Sequence, residues 1–307
     1  MKNFSRFVLC GVVFVALLGM TSTQSFGEVL YGPITFEGGN NGGSYYVYGP
    51  DNYDVTLTYT GTALNLDPTG NGSAIIHDTG FTTTLSSYTV SSDCMTYEDG
   101  RGRFSLLGYA IPGLGSIGAY NYKDSSGNTA YIISLFDETN PLNNAAAEHV
   151  EDWTFGSIYK VSNFKAADQV SGDGTSDLIL SSTFNITMEL TDTGDNSTST
   201  LAYTWTQNGN VWEASATFAN IRAEAIAEAT DKSLGTAIET HIGDLFDTLV
   251  STARSSTGEV GFAYYTFTST TSSDWDNTTV TGEAVPEPST MVLLGSLLLG
   301  LLIWRKK

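Results

Sequence analysis

The stretch LILSSTFNITMEL, residues 178–190, decides the fold class, because its apolar residues recur at every second position. Its apolar face consists of Leu178, Leu180, Phe184, Ile186, Met188 and Leu190, interrupted only by Ser182. Asn185, Thr187 and Glu189 lie on the opposite face. A period of two is typical of a β-strand with one buried face. We therefore expect residues 178–190 to form a strand in the interior of a sheet.

Further strand patterns lie on both sides of this stretch, at residues 53–59, 103–111, 129–136 and 259–269. The dipeptide Asn208-Gly209 separates two more, at 201–207 and 210–218, and it predicts a two-residue type I′ hairpin turn. In that register Trp205 lies opposite Trp212. The two rings are either structural or a platform on which a sugar stacks.

Helical spacing replaces the strand pattern at residues 220–254, where apolar residues recur three and four positions apart. A shorter helix is predicted at 144–153. Strands and helices do not alternate in the manner of a parallel sheet. The sequence therefore predicts a mainly β ectodomain at 28–282, an antiparallel β-sandwich of jelly-roll type with a helical insertion near the C-terminus.

The first 27 residues have the pattern of a secretory signal peptide. Lys2 and Arg6 precede an apolar run at 7–20, and small residues follow at Ser25 and Gly27. We expect signal peptidase to cut between Gly27 and Glu28, so that the body of the protein is exported.

The last 25 residues, 283–307, combine three features. Pro286, Glu287 and Pro288 precede an apolar run at 291–304, and the chain ends with three basic residues, Arg305, Lys306 and Lys307. The run is shorter than the roughly 20 residues of a spanning helix, although a thinned bilayer would accommodate it as a tail anchor.

This tripartite ending resembles the PEP-CTERM family. The resemblance implies that a membrane enzyme, exosortase, reads the signal while the apolar helix is transiently inserted in the inner membrane. It also implies that the tail is removed near the Pro-Glu-Pro and that the protein passes to the cell surface of a bacterium, often one that makes exopolysaccharide. The family shares its tail and not its body, so the resemblance leaves the ectodomain unassigned.

Charge limits the partners of this ectodomain. The chain has 13 basic and 33 acidic residues. Removal of residues 1–27 and 285–307 leaves 8 of the basic and 32 of the acidic residues, a net charge of −24. Such a surface repels nucleic acid and anionic lipid, and neither is expected as a partner. Cys10 lies in the signal peptide, so Cys94 alone remains and no intramolecular disulfide forms.

No catalytic motif is present, and no catalytic residue is predicted. The three histidines, His77, His149 and His241, are far apart in the sequence. Residues 169–177 are similar to a calcium-binding loop, with Asp173, Thr175 and Asp177 as candidate ligands; an acidic turn before the next strand explains the same residues. Calcium is the only cofactor that the pattern suggests.

Three functional classes follow. The first is a non-catalytic surface or matrix protein, structural or adhesive, associated with exopolysaccharide in a biofilm. The second is a carbohydrate-binding module that uses exposed aromatic rings. The third is a secreted hydrolase acting on polysaccharide, since pairs of carboxylates suited to glycoside hydrolysis have no fixed sequence motif.

Overall fold

A computed structural model gives the structure of the chain. It describes residues 28–34, 45–48, 55–60, 63–68, 72–81, 87–96, 103–123, 129–139, 158–160, 168–172, 177–231, 233, 235–255, 260–268 and 272–282. The chain divides into two compact units, one made of residues 30–280 and the other of both chain ends, 1–29 and 281–307. Of the second unit, residues 28, 29, 281 and 282 are described, as the first residues of one strand and the last residues of another.

The described residues form sixteen strands in two sheets. The nine-stranded sheet contains β1 (Glu28–Ile34), β3 (Val55–Tyr59), β4 (Leu64–Pro68), β6 (Tyr88–Thr96), β11 (Asp168–Ser171), β12 (Phe184–Thr191), β13 (Thr200–Gln207), β14 (Asn210–Thr217) and β16 (Ser273–Gly282). The seven-stranded sheet contains β2 (Tyr45–Tyr48), β5 (Gly72–Asp78), β7 (Arg103–Ile111), β8 (Gly115–Lys123), β9 (Thr129–Asp137), β10 (Ile158–Lys160) and β15 (Gly261–Thr268).

The mainly β, antiparallel architecture predicted from the sequence is confirmed. The larger sheet has the order β11-β14-β13-β12-β6-β16-β4-β3, with β1 paired to β16, and the smaller has the order β10-β9-β8-β7-β15-β5-β2. The chain alternates between the sheets from β4 to β7, as expected for a sandwich with crossing connections. By contrast, β7 to β10 and β12 to β14 each stay within one sheet as meanders.

The two sheets pack face to face. A Cβ atom built on Gly108 of β7 would lie 3.0 Å from both the Met188 Sδ and the Leu190 Cδ1 of β12, so the glycine permits a close approach of the sheets. The Tyr203 hydroxyl of β13 donates to the Leu106 carbonyl of β7 at 2.5 Å. One apolar core therefore fills the space between the two sheets.

The stretch 178–190 is shorter as a strand than its pattern predicts, because β12 begins only at Phe184. The Gln207 side chain holds residues 179–182 in a turn. Its Oε1 accepts from the Ile179 N–H at 2.8 Å, and its Nε2 donates to the Ile179 and Ser182 carbonyls at 2.8 and 3.0 Å. Leu178 and Leu180 are nevertheless fully buried, so the apolar pattern is right where the strand is absent. The interior position is confirmed, since β12 lies between β13 and β6.

The predicted hairpin between β13 and β14 is confirmed. Asn208 and Gly209 have φ angles of 51° and 82°, the left-handed conformation that a type I′ turn needs at both positions. The register places Trp205 directly opposite Trp212.

The helical region predicted at 220–254 is also confirmed. It consists of α1 (Phe218–Asp231) and α2 (Thr236–Arg254), which pack on each other. Helix α1 contacts β9 and β10 of one sheet and β14 of the other, and α2 contacts β7 and β8. The helix pair thus covers the side of the sandwich where these edges meet. The helix predicted at 144–153 lies outside the described residues.

A buried carboxylate ties the end of α2 to the β12–β13 connection. Arg254 donates to Asp192 through Nε at 2.8 Å and Nη2 at 2.8 Å, and the Tyr109 hydroxyl donates to Asp192 at 2.5 Å. Burial alone raises the pKa of the Asp192 carboxyl. The hydrogen bonds from Arg254, Tyr109, the Gly194 N–H and Ser199 outweigh it and lower that pKa to about 2.

Candidate functional site

Two histidines that are far apart in sequence meet two consecutive acidic residues at the end of β9. His77, near the end of β5, places Nε2 2.6 Å from Oε1 of Glu138. His241, on α2, places Nε2 2.7 Å from Oδ2 of Asp137. Neighbouring side chains of an extended chain point to opposite sides, so Asp137 reaches the helix while Glu138 reaches β5. We call these four residues the His–acid cluster.

The His77–Glu138 pair is closed to solvent. The two side chains are 2% and 0% exposed. The second carboxylate oxygen, Oε2, accepts from the Gly113 N–H in the β7–β8 turn at 2.9 Å. Each oxygen of Glu138 therefore has a hydrogen-bond partner, as a buried carboxyl group requires. A general acid or base must reach its substrate, and this pair instead joins β5, β9 and the β7–β8 turn.

The His241–Asp137 pair is more open on the histidine side. His241 is 27% exposed, whereas Asp137 is fully buried. Oδ1 of Asp137 accepts from the N–H and the hydroxyl of Thr139, at 2.9 and 2.7 Å. The pair holds α2 on the end of the sheet. His241 is the one histidine of the cluster whose ring is partly accessible to a molecule from solvent.

Asp78, next to His77, lies beside a small cavity. The cavity has a volume of about 80 Å³ and is lined in part by His77, Asp78, Phe81, Pro112 and Phe262. Burial raises the pKa of the Asp78 carboxyl to about 6, although the Gly80 N–H and the Tyr31 hydroxyl, which donate to it, act in the opposite direction. A space of this size holds a few water molecules and is too small for a sugar or a peptide side chain. The arrangement can store a proton, but it cannot seat a substrate.

Local sequence patterns do not predict that these four residues meet. His77 stands in an apolar strand, and Asp137 with Glu138 resembles an ordinary polar turn after a strand. The one available signal was the pair of consecutive acids directly after the apolar residues of β9. It does not say which histidine each acid meets, because both contacts join residues more than 60 positions apart.

The calcium prediction stays open. Asp173 and Thr175 lie outside the described residues. Asp177 is exposed, and its Oδ1 accepts from the Leu178 N–H at 3.0 Å, as an acidic turn residue does. Within the part of the chain that the structure describes, no three His, Cys, Asp or Glu side chains are grouped so that they could hold a metal ion.

The sugar-stacking hypothesis for Trp205 and Trp212 is wrong. The two residues are 1% and 4% exposed, so neither ring presents a face to a ligand. Both residues lie on the core side of the hairpin, and Trp205 stacks on Tyr203 with 5.5 Å between ring centroids. Their role is to fill the core between the two sheets.

The predicted processing sites lie at or beyond the edges of the described residues. Glu28 is the first residue of β1. Gly27 and the residues of the C-terminal signal, Pro286, Glu287, Pro288, Arg305, Lys306 and Lys307, lie outside the described part. Among the helices that are described, none has the length and apolar character needed to cross a membrane.

Comparison with known protein families gives a match at the C-terminal end of the chain. A family model described as the PEP-CTERM protein-sorting motif matches residues 284–307. The chain carries a PEP-CTERM sorting motif. The motif implies that the protein is exported by a bacterium and processed by exosortase, a membrane enzyme, as the resemblance of the sequence had indicated.

Comparison of the whole chain gives weaker matches. No curated protein matches it. Among solved structures, a legume lectin-like domain from Entamoeba histolytica is similar with a TM-score of 0.33 and 9% identity, covering 77% of this chain and 87% of that one. The carbohydrate recognition domain of Emp46p, in its potassium-bound form, is similar with a TM-score of 0.26 and 10% identity, covering 77% and 84%. At these values the likeness carries no argument about what this chain binds.

Proposed function

We propose that the protein is a non-catalytic component of the bacterial cell surface or extracellular matrix, with a structural or adhesive role associated with exopolysaccharide. The observation that carries the proposal is the PEP-CTERM motif at 284–307. Signal peptidase releases the N-terminus near Glu28. Exosortase then acts near Pro286-Glu287-Pro288 while the apolar run at 291–304 holds the chain in the inner membrane.

The charge of the body supports a role outside the cell. The net charge of −20 for the full chain keeps the protein soluble and repels nucleic acid and anionic lipid. The His–acid cluster supports a non-catalytic body, because its carboxylates are buried and join strands, a turn and a helix. The sequence leaves two alternatives open, a carbohydrate-binding module and a polysaccharide-acting hydrolase. The first requires a sugar site away from the buried Trp205 and Trp212.

Intact-mass analysis of protein from the surface of the native cell tests the processing. We expect a chain that starts near Glu28 and lacks residues 291–307. A variant in which Glu287 is replaced by Gln and both flanking prolines by Ala should keep the tail and stay with the membrane fraction. The control replaces Ser289 and Thr290, just beyond the triplet, by Ala and should be processed normally. A surface protein that retains Arg305, Lys306 and Lys307 would show that the tail is an anchor.

A further inference from the structure

The last strand of the sandwich ends one residue before the sorting motif. Strand β16 ends at Gly282, and the motif match begins at residue 284. This strand is also an interior one, since it lies between β6 and β4 and pairs with β1 as well. The signal for removal of the tail is therefore joined directly to a strand in the middle of the larger sheet.

Core contacts hold β16 in the sheet. Trp275, Thr278 and Val280 are fully buried. The ring centroids of Trp275 and Tyr264 lie 5.0 Å apart. The Thr278 hydroxyl accepts from the Tyr264 hydroxyl at 2.9 Å and lies 2.8 Å from the hydroxyl of Ser92 on β6. The residues of β16 therefore leave the sheet only when this part of the core opens.

The end of β16 limits how far the Pro286-Glu287-Pro288 triplet can lie from the folded sheet. Gly282 is itself buried as the last residue of the strand. The six residues 283–288 reach at most about 20 Å when fully extended. Residues 289 and 290 alone separate the triplet from the apolar run that starts at 291. An enzyme that cuts near the triplet has to work between the sheet on one side and the membrane on the other.

A protease also needs the main chain of its substrate. Proteases bind a substrate as an extended strand, through main-chain hydrogen bonds over several residues on each side of the bond that is cut. The main chain of β16 is already paired with its neighbours in the sheet. With a cut near 286–288, the residues required on the N-terminal side reach back to the end of β16. The folded sheet and the enzyme therefore compete for this part of the chain.

The order of synthesis provides a period in which the end of β16 is still open. The chain is made and exported with its N-terminus first, and β16 is the last of the described strands to appear. Strands β6 and β4 have no partner on the side that β16 occupies until it arrives. The apolar run follows after only the eight residues 283–290. The sheet is therefore completed when the sorting signal is already at the membrane.

We propose that exosortase removes the tail before the end of β16 joins the sheet, and that the folded sheet protects the tail of any chain that is not cut by then. The cut breaks one peptide bond, and water or an amine takes up the released acyl group. The proposal rests on the processing by exosortase proposed above, and it adds the regulation of that step. The folding rate of the last strand divides the chains between a released form and a form anchored at 291–304.

Digestion of the full chain in detergent with a glutamate-specific protease tests the obstruction. A cut after Glu283 releases the fragment 284–307, which mass spectrometry detects. A variant with Gly-Ser-Gly-Ser inserted between Gly282 and Glu283 moves this bond away from the sheet. We expect the variant to release the fragment at least about tenfold faster than the unchanged protein, with the same melting temperature, because proteases cut exposed and flexible chain.

Two controls identify the sheet as the obstruction. The same four residues inserted between Ser289 and Thr290 move the bond away from the detergent micelle but not from the sheet, so the rate of release should stay within about twofold of the unchanged rate. Trp275→Ala leaves a cavity beside β16 and should accelerate the release. Equal rates for the unchanged protein and the insertion after Gly282, or equal acceleration by both insertions, would overturn the proposal.

Pulse labelling in the native cell tests the timing. Cleavage of the unchanged protein should stop while part of the chains still carry residues 291–307, whereas the variant with the insertion after Gly282 should be cut to completion. Complete cleavage of both proteins at one rate would overturn the competition with folding. If neither protein loses its tail, the proposed processing itself fails, and the digestion still shows whether the sheet covers the site.

Discussion

At the scale of single residues, the surroundings of two buried aspartates shift their pKa values in opposite directions. Asp78 accepts from the Tyr31 hydroxyl and from the Gly80 and Phe81 N–H groups, all uncharged donors, and burial raises its pKa to about 6. Asp192 is also buried, but an arginine, a tyrosine, a serine and a backbone N–H donate to it, and its pKa falls to about 2. The two carboxyls therefore affect the pH dependence of stability with opposite signs.

We predict that Asp78→Asn stabilises the protein at pH 7 and flattens its pH dependence between pH 4 and 6. The native state binds the Asp78 proton more tightly than the unfolded state, whose pKa is near 3.8, so this group makes the protein more stable as the pH falls from about 6 to about 4. The difference amounts to about 3 kcal/mol. Urea unfolding at pH 4, 5, 6 and 7 measures it.

Asp192→Asn is the matched comparison. Its contribution is present above about pH 4 and is lost as the pH falls towards 2, so the variant should be less stable than the unchanged protein at pH 7. If both variants lose stability equally at pH 7, the raised pKa of Asp78 is wrong.

At the scale of elements, β12 shows how one strand separates two environments. Its core face carries Phe184, Ile186, Met188 and Leu190, all buried. Its other face is polar, and its side chains form hydrogen bonds with those of β6. Asn185 donates to Asp93 at 3.0 Å and accepts from Ser91 at 3.1 Å and from Thr187 at 3.0 Å. Short polar side chains thus link β12 to β6 across the outer face of the sheet.

We predict that the loss of stability caused by a substitution in β12 depends on whether the position is buried, hydrogen-bonded or exposed. Phe184→Asp should prevent folding, because it places an unpaired charge in the core. Asn185→Asp should cost about 1–3 kcal/mol, because it removes the donor to Asp93 and adds a second carboxylate beside it. Glu189→Gln, at an exposed position, should change stability by less than about 0.5 kcal/mol. Urea midpoints and near-ultraviolet circular dichroism measure the series; equal midpoints for Phe184→Asp and Glu189→Gln would contradict the assigned face.

At the scale of the whole molecule, charge is the dominant property. The full chain has 33 acidic and 13 basic residues, and the loss of both ends removes more basic than acidic residues. The ion pairs of Asp192 with Arg254 and of Asp247 with Arg222 use two of the few arginines. Most acidic groups therefore repel one another over distances that salt can screen.

We predict that raising sodium chloride from about 10 to about 300 mM increases the melting temperature, since the screening length falls from about 30 Å to below 10 Å. Potassium chloride at the same ionic strength should give the same increase. A melting temperature that falls as sodium chloride is added would contradict the proposed repulsion between acidic groups.

Calcium chloride at matched ionic strength tests the loop that contains Asp173, Thr175 and Asp177. A larger increase in the melting temperature, removed by Asp173→Ala, would support a calcium site there.

The sequence by itself determined what depends on neighbouring residues. The period-two pattern of β12, the Asn208-Gly209 turn and the helical spacing of α2 are local features, because each depends on sterics and burial over a few residues. The sorting motif is equally local, and it was recognised from the last residues of the chain.

Tertiary structure alone decided which distant groups meet. Gln207 ends the predicted strand early by binding a turn 25 or more residues away, and the histidines at 77 and 241 find Asp137 and Glu138 only after both sheets and α2 have assembled. The burial of Trp205 and Trp212 likewise depends on the opposing sheet. A local pattern records which face of an element is apolar, but the partner that covers this face is chosen by packing across the whole chain.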